Sequence, residues 1–190
     1  MEAKKNTSLI RTPEALAGLI RKRGENLFET HQLLCSEAVL YVLNQGLKGG
    51  LPPDTAVRLA SGFGEGIGKA GCMCGAFAGA MMGLGLFLGR QGLNGKGSKK
   101  VLGKARELHT DFKSEFGTTC CRVLTKKVAH DHRALFSQCA NHTGEAAEMA
   151  ARIILEARPE LLDQADWDFL EKRDSKLEAG IGRLFTLIRP

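Results

Sequence analysis

Apolar residues recur at helical spacing along most of the chain, and no convincing alternating run appears, so the pattern predicts an all-α fold. Thr12-Pro13 reads as an N-cap followed by proline at the first helical position, opening a short helix to about Arg23. A second helix, about Leu27 to Gln45, places Phe28, His31, Cys35, Ala38, Val39 and Val42 on one face. A Gly/Pro loop follows, then a short helix from Asp54 to Ser61. After a glycine cluster (Gly62, Gly64, Gly66, Gly68, Gly71), a central helix spans about Cys72 to Gly89. Its glycines 75, 79 and 83 form a stripe that lets another backbone come close, against Cys74, Phe77, Met81 and Leu84 on a bulkier face.

Further helices are predicted for about Lys99 to Phe116, for a short piece beginning at Cys120, and for about Ala134 to Ala157. In the last of these Phe136, Cys139, Ala140, Thr143, Ala147, Ala150 and Ile154 share the inward face. Pro159 ends it, and two helical pieces follow around Trp167 and Leu184. The expectation is a compact bundle of about six to eight helices around a central Gly-rich helix. The chain divides into an N-terminal helix or arm (1–26), a four-cysteine helical domain (27–157) and a C-terminal helical extension (158–190).

Composition sharpens two points. The chain has 190 residues, 43% hydrophobic and 25% charged, which suits a packed core and excludes wholesale disorder. Ala70 to Gly89 is twenty residues without a charge, but six are Gly and four Ala, and no Trp/Tyr belt flanks it; a buried helix fits better than a membrane span. No apolar leader follows Met1-Glu2-Ala3-Lys4-Lys5, so a cytoplasmic location is expected, with thiols kept reduced.

Six cysteines then need a reason. Cys35 is read as facing inward at mid-helix, and Cys139 as facing inward near its helix start. Cys74 and Cys121 lie at helix starts, where the N-terminal dipole favours thiolate. The four are 39, 47 and 18 residues apart, so no local metal motif exists and only tertiary packing can join them. Cys72 and Cys120 read as packing or accessory thiols, because near neighbours on a helix start point to different sides and an adjacent-cysteine disulfide is strained.

Cys74-Gly75-Ala76-Phe77-Ala78-Gly79 resembles the signature of the C_GCAxxG_C_C family of redox-active proteins. Cys35-Ser36-Glu37-Ala38-Val39 resembles that family's first cysteine, and Phe63 to Gly68 its glycine-rich lead-in. Phe116-Gly117 followed by Cys121-Arg122-Val123-Leu124 resembles the third cysteine, and Cys139 takes the place of the fourth. The resemblance implies a helical domain with four functional cysteines. A related domain in split-Soret cytochromes is associated with an iron–sulfur site, although no haem motif occurs here. On this reading Cys35, Cys74, Cys121 and Cys139 bind an iron–sulfur cluster for electron transfer, with [2Fe–2S] favoured and zinc behind it. The alternatives are a metal-free thiol–disulfide protein, with Cys74 or Cys121 attacking, or a non-catalytic helical binding module. The redox partner protein is not identified, and the sequence leaves open whether a homodimer shares the site.

Three other signals are weaker. Gly66-Ile67-Gly68-Lys69-Ala70-Gly71 satisfies the dinucleotide fingerprint but has no strand before it, so it reads as a turn. Asn94 to Arg133 holds ten Lys/Arg against four Asp/Glu; with few aromatics interleaved, a solvated helix face is favoured over nucleic-acid binding. His31 is placed to donate to a thiolate or cluster sulfur or to sit as a core histidine, while His109, His130, His132 and His142 read as mostly surface residues.

Overall fold

A computed structural model describes residues 11–95, 97–176 and 179. Among these the chain is helical, with no strand beyond one isolated bridge between Met73 and Cys120. The long helices are α1 (Pro13–Glu29), α2 (Cys35–Gly46), α5 (Gly75–Leu88), α6 (Ser98–Phe116) and α8 (His132–Ala157). Shorter pieces are α3 (Pro53–Ser61), α4 (Gly64–Gly68), α7 (Cys121–Thr125), α9 (Leu161–Gln164) and α10 (Trp167–Glu171). These are ten segments among the described residues, more than the six to eight expected, because one-turn pieces carry no amphipathic period of their own. The helical piece expected around Leu184 lies outside the described residues.

The first break in the chain does not fall between Arg23 and Leu27, where it was expected. α1 starts on a Thr12 cap and runs through Gly24 to Glu29. A Cβ at Gly24 would touch Val42 and Ala147 at 3.5 and 3.6 Å, so neighbouring helices hold this turn in register. The helix stops where His31 enters the left-handed region at φ 57°, a role usually taken by glycine or asparagine. Residues 30–34 form a turn, and α2 begins at Cys35 instead of Leu27. Cys35 is therefore a first-turn residue and not mid-helix.

The core is shared by three helices rather than organised around one. α2, α5 and α8 pack against each other in pairs, α1 lies along α8, and α6 covers α5 and α8. The glycine stripe of α5 meets α2: a Cβ at Gly79 would stand 2.5 Å from the Ser36 carbonyl oxygen and 2.9 Å from the Val39 Cβ. Leu40, Leu43, Leu84, Leu108, Phe112 and Ile154 are among the fully buried side chains. Burying each such side chain contributes roughly 1.5–3 kcal/mol. No helix among the described residues is long and apolar enough to cross a membrane.

The segment after α10 is tied back to α1. Arg23 is only 4% exposed and pairs with Asp174 at 2.9 Å; Asn26 bonds the Asp174 backbone in both directions, and Gln32 donates to its carboxylate. Burial alone would raise the Asp174 pKa, but hydrogen bonds from Gln32, Lys172 and Arg23 hold it well below the ordinary carboxylate range.

Candidate functional site: a thiol-lined cavity

The left-handed turn at His31 and a second unusual turn shape one end of the bundle. In α4 the chain coils with the opposite hand: Glu65, Gly66 and Ile67 have φ of 53°, 73° and 58°, and Lys69 follows at 71°. Such a run is costly for residues with a Cβ, and a β-branched isoleucine there is a genuine outlier. Packing requires it. A Cβ at Gly66 would meet the Cys121 Sγ at 2.8 Å, and Arg122 reaches back to the carbonyls of Gly71 and Ala70. The residues of the dinucleotide-like motif thus build a turn, as expected of them.

Between these turns lies a cavity of about 630 Å³. Cys35 reaches it from the first residue of α2, Cys74 from the N-cap of α5, Cys121 from the first residue of α7 and Cys139 from the second turn of α8. Four cysteines separated along the chain therefore line one cavity, three of them at helix N-termini. A Cβ at Gly75 would lie 2.5 Å from the Cys35 sulfur, so the signature glycine leaves room for the first cysteine. Aromatic rings line the cavity as well. Phe28 stacks on Phe136 with centroids 4.9 Å apart, and His31 lies against the same ring at 4.6 Å.

A family pattern covers residues 33–153, under the description "Putative redox-active protein (C_GCAxxG_C_C)". The chain belongs to the C_GCAxxG_C_C family. All four cavity cysteines fall inside the matched span. No curated protein and no solved structure matches the chain. The family match contains no link to split-Soret cytochromes.

The chemistry of the quartet in this C_GCAxxG_C_C protein differs from the expected thiolate set. Burial pushes the Cys74 thiol up to about 12, more than the facing amides of Phe77 and Ala76 bring it down. Burial likewise pushes Cys139 up to about 12, with Cys35 and Cys121 adding to the effect. Cys35 and Cys121 are raised for the same first reason. Desolvation outweighs the helix dipole, which offers only about half a charge spread over the first turn. The thiolate expected at Cys74 and Cys121 is therefore corrected to a protonated thiol.

The metal expectation is corrected as well. Among the described residues no group of three or more His, Cys, Asp or Glu side chains is arranged to hold a metal ion. The four sulfurs share a cavity without closing into a coordination sphere. The iron–sulfur cluster, its electron-transfer role and the zinc alternative are withdrawn on this ground.

The accessory cysteines separate cleanly. Cys72 is exposed, and the Cys120 Sγ donates to the Gly71 carbonyl at 3.2 Å; neither lines the cavity. The expectation that His142 is a surface residue is corrected. This histidine lies three residues beyond Cys139 on α8, lines the cavity and is only 5% exposed, with Phe116 edge-on at 4.6 Å. The helical signal was available, since i and i+3 share a face. His132 also lines the cavity, whereas His130 is exposed and His109 packs on Phe77.

Proposed function

We propose that this C_GCAxxG_C_C protein is a metal-free helical binding module that takes a small, largely apolar molecule into its thiol-lined cavity. The observation that carries the reading is the cavity itself, about 630 Å³ and lined by four thiols and by the stacked rings of Phe28 and Phe136. Small-molecule sites span roughly 300–1,000 Å³ and are mostly apolar with few polar groups. Protonated thiols suit that role, because free cysteine packs as a small, polarizable hydrophobe. The test is calorimetric titration of the protein with naphthylmethanol and with naphthoate. Binding of at least one is expected, and filling the cavity by Cys139→Phe should abolish it. If neither binds wild-type protein, the reading falls.

A further inference from the structure

The described chain carries its C-terminal end to the cavity. Asn26 and Gln32 hold Asp174, and Gln32 lines the cavity. Two residues later the Lys176 ammonium stands over Phe136, another lining residue, 5.9 Å from the ring centroid. Ala179 donates to the Ser175 carbonyl at 3.0 Å and is only 8% exposed, so the chain is still packed against the protein there. Gly180 to Pro190 follow, outside the described residues. Resting on the binding-module reading, we infer that this segment docks over the cavity and competes with small molecules for it, with Ile181, Leu184, Phe185 and Ile188 facing inward.

Pattern, reach and charge select this occupant. Residues 181, 184, 185 and 188 are apolar at i, i+3, i+4 and i+7, the spacing of a helix face laid into a groove. Eleven helical residues extend about 16 Å, enough to cross a compact space of about 630 Å³ from a start beside Phe136. Besides its histidines, the lining sets Glu37 and Glu65 against one cation, Lys69. Glu37 is held by the Leu34 amide and the Ser61 hydroxyl, at 2.8 and 2.7 Å. Glu65 pairs with Lys69 at 3.5 Å, but both side chains are more than half exposed and water screens the pair. The negative charge of Glu65 reaches the thiols: burial, then neighbouring cysteines, then Glu65 raise Cys121 and Cys139. Residues 180–190 carry Arg183 and Arg189 and no Asp or Glu, so their charge is opposite to that of the two cavity carboxylates. Lys176 already brings the same sign to the Phe136 ring.

The test uses the full chain with the photo-crosslinker p-benzoylphenylalanine in place of Phe185, irradiated in dilute solution and mapped by peptide mass spectrometry. A crosslink within one chain to the peptides holding Phe28, Leu135, Phe136 or Cys139 is expected. Crosslinks only to other parts of the surface, only between two copies, or none at all overturn the inference. If that variant fails to fold, the same label at Leu184 gives the same reading. Calorimetric titration with naphthylmethanol then measures the competition. The full-chain double variant Leu184→Ser, Phe185→Ser should bind it about tenfold tighter than wild type, as when a segment occupies the cavity about nine-tenths of the time. Unchanged or weaker binding overturns the inference and leaves the binding module standing. A cavity crosslink with no binding by either protein removes the module and leaves the docked segment.

Discussion

Helix α8 meets two different environments along its length. From Gly144 onward it presents Ala146, Ala147, Ala150 and Ala151, all fully buried, and α1 comes close enough for Gly24 to sit against Ala147. Between His132 and Thr143 the same helix presents Phe136, Cys139 and His142 to an open cavity. The backbone is equally regular in both halves; the side chains differ. Small ones let neighbouring helices close and leave no room for a ligand, whereas larger, widely spaced ones hold the neighbours apart and leave volume. The seam between α2 and α5 repeats the contrast, sealed at Gly79 and Gly83 but ending at Cys35 and Cys74 on the cavity wall.

The largest expected effect tests the cavity end through its protons. An unfolded thiol ionises near 9, whereas folded Cys74 keeps its proton to about 12. The unfolded chain therefore releases that proton first. Stability from this group is complete below pH 9 and falls as pH rises toward 12, by on the order of 4 kcal/mol at the upper end. Urea denaturation at pH 8 and at pH 11 should show the loss, and Cys74→Ala should make it smaller by this group's share, leaving that of the other raised thiols. Equal slopes in the two proteins would mean that the thiol is not buried as described.

Next comes the clamp beside the cavity loop. Asp174→Asn leaves the Arg23 guanidinium buried without its counter-charge and should cost about 3 kcal/mol. Because the Asp174 pKa is held low, its stabilisation is present at neutral pH and is lost only as pH falls below the usual carboxylate range. Wild-type and variant stabilities should therefore converge in strong acid; a constant gap would refute the ion pair as the cause.

At the sealed seam, Gly79→Val should destabilise by about 2–3 kcal/mol, because the new Cβ meets the Ser36 carbonyl and Val39 instead of a flexible chain end. Gly85→Ala on the same helix has open space around its Cβ and should be neutral or slightly stabilising in the same denaturation assay. The smallest effect separates the two cysteine classes. Cys72→Ser should change stability by less than about 0.5 kcal/mol, and Cys72, exposed, should be the first thiol alkylated by iodoacetamide at pH 8. Faster labelling of Cys74 or Cys139 than of Cys72 would contradict the raised cavity thiols.

Helix periodicity made much of the fold readable. α3, α6 and α8 lie within two residues of expectation, because apolar spacing and the Asp131 and Gly117 caps are local signals. The α1–α2 break was not readable: the expected gap between Arg23 and Leu27 is continuous helix, held where Gly24 meets Val42 and Ala147, while His31 turns the chain without a glycine. The reversed hand of 65–69 was hidden for a similar reason: Glu65, Ile67 and Lys69 give no local sign that Cys121 and Arg122 will press against the turn. At the site, the four cysteines singled out in the sequence, Cys35, Cys74, Cys121 and Cys139, all line the cavity, and Cys72 and Cys120 do not.

The sequence by itself determined the helical class and carried the family pattern, because these rest on residue order and short-range spacing. The tertiary structure decided what the quartet is. Whether a thiol at a helix start is a thiolate depends on how much water its neighbours remove, and whether four sulfurs make a coordination sphere or a cavity wall depends on how far apart the helices stand. Both are set by packing between segments distant in the chain. Here that packing protonates the thiols, spreads them around about 630 Å³ and turns His142 toward the same space.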